Sequence, residues 1–135
     1  MNTVIVGFDG SEHGQRALER AASIAGDGTL VVVSAASLTR LTRDTGSSAV
    51  DPIEAEAARD ALEKAKGLVS GKGGNTRFVE RHGDPADALV QQAEEDKADL
   101  IVVGTRGLNF AQRTVLGSVS TKVVHHAPCD VLVVR

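Results

Sequence analysis

The sequence predicts an α/β fold: one open, parallel sheet of five strands in the order 3-2-1-4-5, with helices on both faces. Three observations predict it. Short runs rich in Val, Ile and Leu alternate five times with segments of helical periodicity, the pattern of right-handed strand–helix–strand units. The runs at 3–8, 29–36 and 99–104 are apolar without alternation, as strands buried on both faces are. Residues 76–82 do alternate, Phe78, Glu80 and His82 against Arg77, Val79 and Arg81, which suits a sheet edge.

Each element has its own local reason. The first strand, 3–8, ends in Asp9-Gly10-Ser11, where Ser11 can cap the helix that follows. That helix carries Ala17, Leu18, Ala21, Ala22 and Ala25 on one face and Glu12, Arg16, Glu19 and Arg20 on the other, the amphipathic pattern of a helix lying on a sheet. Gly26-Asp27-Gly28 stops it. The second strand covers 29–36. Residues 37–50 have no apolar periodicity and read as a long loop.

Asp51-Pro52-Ile53-Glu54 opens the second helix, with Asp as cap, Pro in the first position and Glu closing a capping box. Ala58, Ala61, Leu62, Ala65, Leu68 and Val69 form its apolar stripe, and residues 70–75 end it. Gly83-Asp84-Pro85 starts the third helix, with Ala86, Leu89, Val90 and Ala93 on one face. After the fourth strand, 99–104, residues 108–116 are irregular. The fourth helix has Val119, Val123 and Val124 as its stripe, Pro128 breaks the chain, and residues 130–135 form a last apolar strand.

In the order 3-2-1-4-5 the winding direction reverses between the first and fourth strands, and ligands of open α/β sheets bind at the carboxyl ends there. Those two strands end in Phe8-Asp9-Gly10 and Val103-Gly104-Thr105. Gly104 and Gly107 are followed after nine residues by Gly117-Ser118 at a helix start. Backbone N–H groups near Gly107, Gly117 and Ser118, with the Ser118 and Ser120 hydroxyls, would hold phosphate oxygens, helped by the helix dipole. Asp9 either caps the next helix or accepts from a ribose and helps hold Mg²⁺ near phosphates. Arg106 and Arg113 flank the cradle, as phosphate partners or as solvated surface charge.

Composition excludes several classes. The net charge is −3 and no basic stripe is present, which argues against extended nucleic-acid binding. With no Tyr or Trp and three Phe, the chain lacks the aromatic platforms on which RNA bases stack. Cys129 is the single cysteine, so no intrachain disulfide or CxxC site exists. His125 and His126 are adjacent and face different ways on a helix, which does not make a metal pair. No run approaches a membrane span, and 1–6 enters a strand with no leader pattern. One cytoplasmic domain over residues 1–135 is expected. The stretch from Gly67 to Gly73 imitates a P-loop but is one residue short and follows a helix.

With these pieces in place, the chain resembles the universal stress protein family. The family's signature G-x2-G-x9-G-[S/T] is matched by Gly104, Gly107 and Gly117-Ser118. Further matching segments are Val4-Ile5-Val6-Gly7-Phe8-Asp9-Gly10-Ser11, Gly83-Asp84-Pro85, the strand ending at Gly104, and Val131-Leu132-Val133-Val134. The resemblance implies a Rossmann-like fold similar to the adenine nucleotide alpha hydrolases, usually dimeric, with ATP or AMP in the crevice of one branch. Carried over, Phe8 and Asp9 would border the ribose and phosphates, and the backbone at Ala35 would face adenine. Val103, Gly104, Arg106 and Gly107 would line the phosphate path, with Gly117, Ser118, Val119 and Ser120 on the phosphates. Two positions depart from the family: Ser34-Ala35 stands where His-Val is common, and Asp130 where proline is usual.

The resulting expectation is an adenine-nucleotide-binding regulatory or stress-response module that pairs with a second copy through strand 130–135, a flat apolar edge that monomers avoid exposing. A dimeric interaction module without nucleotide, and a slow Mg²⁺-dependent ATPase or phosphotransferase, are the alternatives. For turnover, only Asp9 offers a candidate carboxylate, and no positioned base accompanies it.

Overall fold

The computed structural model describes residues 2–36, 38–40, 48–50, 52–70, 74–105 and 116–135. In chain order these form β1 (Thr3–Gly7), α1 (Glu12–Ala25), β2 (Thr29–Ala36), β3 (Leu38–Arg40), β4 (Ser48–Val50), α2 (Pro52–Val69), β5 (Asn75–His82), α3 (Pro85–Asp96), β6 (Leu100–Gly104), α4 (Ser118–His126) and β7 (Asp130–Val134). Five strands make one sheet in the spatial order β5-β2-β1-β6-β7. Every neighbouring pair in it is parallel. This is the 3-2-1-4-5 arrangement that the sequence predicts.

The continuous apolar strands are explained by two cores, one on each face of the sheet. On one face Val4, Val6, Phe8, Leu30, Val32 and Val102 pack with Leu18 and Ala21 of α1 and Leu62 and Ala65 of α2. On the other, Ile5, Val31, Val33, Ile101 and Val103 pack with Ala86, Leu89 and Ala93 of α3 and Val123 of α4. Successive residues of one strand feed opposite layers, so both members of each pair must be apolar. Burying Leu18 fully contributes about 2 kcal/mol of transfer free energy. The edge strand β5 divides the same way, with Phe78 against the first core and Val79 against the second.

The helix ends follow their capping residues. Ser11 caps α1, its side chain accepting from Gly14 N–H, and Gly26 at φ 52° closes the helix in a conformation that favours glycine. Asp84 caps α3, accepting from Asp87 N–H with Pro85 in the first turn. For α2, Pro52 opens the helix as expected, whereas the proposed cap Asp51 lies outside the described residues.

Three details differ from the sequence reading. Within 37–50, residues 38–40 and 48–50 are not loop: they pair as an antiparallel two-stranded sheet, with Leu38 opposite Val50. Strands of three residues are too short to show a period. Asp99 precedes β6 instead of opening it, and its carboxylate accepts from the N–H groups of Asn2 and Thr3, each at 3.0 Å. Val124 is 49% exposed and leaves the α4 stripe to Val119 and Val123. Asp130 begins β7 without disturbing its pairing, opposite Leu100.

Candidate functional site

The carboxyl ends of β1, β2 and β6, with the starts of α1, α3 and α4, enclose a cavity of about 430 Å³. It lies where the winding of the sheet reverses, between β1 and β6. Nine of the residues expected at the site line it: Phe8 and Asp9 after β1, Ala35 in β2, Val103 and Gly104 in β6, and Gly117, Ser118, Val119 and Ser120 at α4. Arg106, Gly107 and Arg113 lie outside the described residues. The lining also includes Gly7, Gly14, Val33, Ser34, Pro85, Leu89 and Thr105, which are not among the residues expected to bind.

Glycines bring the walls together. A side chain at Gly104 would place its Cβ 2.9 Å from the His13 carbonyl oxygen, and one at Gly7 would stand 2.9 Å from Leu89 Cδ1. Both are closer than real Cβ contacts, so each glycine admits a helix against the strand end. Gly7 inside an apolar strand was the readable sign that α3, with Pro85 and Leu89, closes on the crevice. The His13 ring also reaches the site's edge, its Nδ1 3.5 Å from Thr105 Oγ1.

The start of α4 is tied to the end of β6. Gly117 N–H donates to the Thr105 carbonyl at 2.6 Å. Ser120, 1% exposed, donates its hydroxyl to Gly117 O at 3.0 Å and Thr105 O at 3.3 Å. The Gly117 N–H and the Ser120 hydroxyl are therefore used within the protein. The N–H groups of Ser118, Val119 and Ser120 belong to the first turn and have no intrahelical acceptor. Gly117 offers no side-chain cap, and the first turn holds no acid.

The other helix starts bordering the cavity are different. At α1 the N-cap is Ser11, Glu12 sits in the first turn, and Asp9 Oδ1 accepts from Ser11 N–H at 2.9 Å. At α3, Asp84 caps and Asp87 sits in the first turn. Lys122 of α4 bridges both of these acids, at 3.1 Å and 3.0 Å. Partial burial opposes the Asp84 carboxylate, but bonds from the Asp87 and Ala86 N–H groups and from Lys122 outweigh it and hold its pKa below the ordinary value. The same bonds, to Asp87 first and Asp84 second, raise that of Lys122. Positive helix ends at α1 and α3 thus meet protein carboxylates, whereas the first turn of α4, which borders the cavity, carries no acid of its own.

Asp9 is the carboxylate among the described lining residues. No group of three or more metal-ligating side chains occurs among the described residues. Cys129 stands apart from the crevice, half-buried. Burial, with the negative charges of Asp130 and Asp99 adding to it, pushes its thiol pKa up.

Fold and site together define an open α/β domain with an anion-receptive crevice at its switch point. The chain belongs to the universal stress protein family, whose model matches residues 1–135. A universal stress protein of Mycobacterium tuberculosis is 39% identical over 145 residues, covering 98% of this chain and 95% of that one. The solved structure of UspA from Lactobacillus plantarum superposes with a TM-score of 0.82 at 27% identity, covering 99% of this chain and 97% of that one. A universal stress protein solved in complex with cAMP superposes with a TM-score of 0.76 at 31% identity, again over 99% and 97%. No helix among the described residues is long and apolar enough to cross a membrane.

Proposed function

We propose that this chain binds an adenine nucleotide, ATP or AMP, in the crevice and acts as a cytoplasmic regulatory or stress-response module. The observation that carries the reading is the start of α4: a glycine cap with no acid in its first turn, opening onto the cavity. An anion with several oxygens matches its N–H groups and its dipole. The cAMP-bound relative supports an adenine nucleotide as that anion.

In this reading phosphates lie on the Ser118, Val119 and Ser120 N–H groups and the Ser118 hydroxyl. Arg106 and Gly107 complete the path with Val103 and Gly104. Asp9 takes the ribose, or a Mg²⁺ carried in on the phosphates. Phe8 borders the sugar, and the backbone at Ala35 faces the base. The Ser120 side chain acts from behind, by fixing the start of the helix. The test is calorimetric titration of Gly117→Val with ATP: binding is lost if the cradle is drawn correctly, and unchanged affinity contradicts it.

The same proposal includes a homodimer through β7. That strand pairs with β6 on one side and is the sheet's edge, with Val131, Leu132, Val133 and Val134 all half-buried. Pairing with a second copy would cover it. Sedimentation equilibrium should give a mass near twice 14.0 kDa; a monomer mass independent of concentration contradicts the dimer.

A further inference from the structure

The end of β7 borders a second, shallower groove, away from the crevice. Arg16, Glu19, Arg20 and Ser23 on the outer face of α1, with Val134 and Arg135, enclose about 320 Å³. Three arginines against one glutamate make this groove positive, on a chain whose net charge is −3. Arg16 reaches Glu12 at 4.0 Å, across exposed side chains. Arg20 and Arg135 form no ion pair with another described residue, and neither does Asp130 at the opposite end of β7. All three are exposed.

Alternation along β7 settles where these charges lie. Leu132 and Val134 pack on the α1 side of the sheet, and Val131 and Val133 on the other, so Asp130 projects on the α1 side as well. The Val134 carbonyl accepts from Thr105 N–H of the neighbouring strand end. The main-chain groups of Asp130, Leu132 and Val134 therefore face β6, and those of Val131 and Val133 point outward. A two-fold axis perpendicular to the sheet pairs this edge with its copy in antiparallel fashion. Opposed residues share a face, so the axis must pass through a residue, and passing through Leu132 it pairs the whole of Asp130–Val134. Val131 and Val133 of the two copies then exchange their outward hydrogen bonds. Val134 opposes the second copy's Asp130 in a non-hydrogen-bonded pair, the kind with Cα atoms about 4.5 Å apart and side chains closest.

We propose that the arginine groove is the receptor for Asp130 of a second copy of this chain, one carboxylate in each groove and two such contacts in the dimer; this rests on the β7 dimer proposed above. The planar guanidinium groups of Arg20 and Arg135 suit a carboxylate. The contact also fixes register. A neighbouring register on the same face sets Asp130 opposite Leu132 or beyond the strand end, and the ion pair is lost. Two negatively charged copies are thereby joined through complementary patches, which favours this pairing over other edge contacts.

The test is a charge swap, read by sedimentation equilibrium at low salt. Asp130→Arg, and Arg20→Glu combined with Arg135→Glu, should each raise the dimer's dissociation constant about tenfold, because two attractive contacts become repulsive. Mixing the two variants in equal amounts restores opposite charges at both contacts. Native mass spectrometry of the mixture should then show heterodimer in excess of random pairing. Variants that dimerise like the original chain, or a weakening that mixing does not rescue, overturn the inference and leave the β7 dimer standing. An original chain that stays monomeric at every concentration removes the dimer and this inference together.

Discussion

The Thr105 carbonyl accepts from the Gly117 N–H at 2.6 Å, which joins the two ends of the glycine signature across residues 106–116. The last turn of the fourth main strand and the first turn of α4 are thereby held as one unit, with the Ser120 hydroxyl on the same carbonyl. Gly117 itself has ordinary extended backbone angles, φ −65° and ψ 165°, which any residue adopts. A side chain there should obstruct the phosphate path without straining the chain. Gly117→Val is expected to lose ATP binding and to change unfolding free energy by no more than about 1 kcal/mol, measured by urea denaturation beside the titration.

Gly104 behaves differently, although it belongs to the same signature. Its missing side chain makes room for the His13 carbonyl carbon and oxygen, at 3.0 Å and 2.9 Å from where a Cβ would stand. Backbone atoms cannot swing aside as the end of a side chain can. Gly104→Ala should therefore destabilise the fold by about 1–3 kcal/mol, with or without nucleotide. A denaturation midpoint unchanged in ligand-free protein would contradict this.

These two glycines show how far the sequence could be read. Strand order, helix starts and the Ser11 cap are legible because they rest on local pattern: apolar runs buried twice, Ser11 and Gly83-Asp84-Pro85 before helices, Gly26 after one. The crevice followed from topology, which placed Phe8-Asp9 beside Val103-Gly104. Pattern does not show which partner a small residue makes room for. Gly104 meets His13, 91 positions away in the chain, and no periodicity encodes that. Ser120 was expected to face a ligand with its hydroxyl, yet that hydroxyl turns inward to two carbonyls, a choice made by tertiary packing. The pair β3–β4 leaves no pattern in the sequence because strands of three residues carry too little signal.

The Lys122 bridge to Asp84 and Asp87 gives a pH-dependent contribution. Asp84 has a depressed pKa in the folded protein, so its share of stability is present above its unfolded value and is lost as pH falls through the folded one, below about pH 4. The pair is about half exposed, so solvent screening keeps its contribution small. Asp84→Asn, which keeps a capping side chain, should lower stability slightly at pH 7 and have no effect at pH 2. An equal cost at both pH values, by urea denaturation, would contradict the assignment.

Cys129 should be a poorly reactive thiol. Burial raises its pKa, as do the charges of Asp130 and Asp99, and the thiolate is the reactive form. Alkylation by iodoacetamide at pH 7.5 is expected to be slower than that of free cysteine and to recover on unfolding in urea. A rate equal to free cysteine in the folded protein would show that the thiol is neither shielded nor shifted.

The central claim is that the α4 end of the crevice holds the phosphates of an adenine nucleotide. Its most direct test is calorimetric titration of the purified chain with ATP and AMP, with and without Mg²⁺, after measuring the mass of any small molecule released on denaturation. The account predicts adenine nucleotide retained through purification or bound with about micromolar affinity, a binding free energy near −8 kcal/mol. No released nucleotide and no binding heat under any of these conditions would contradict it.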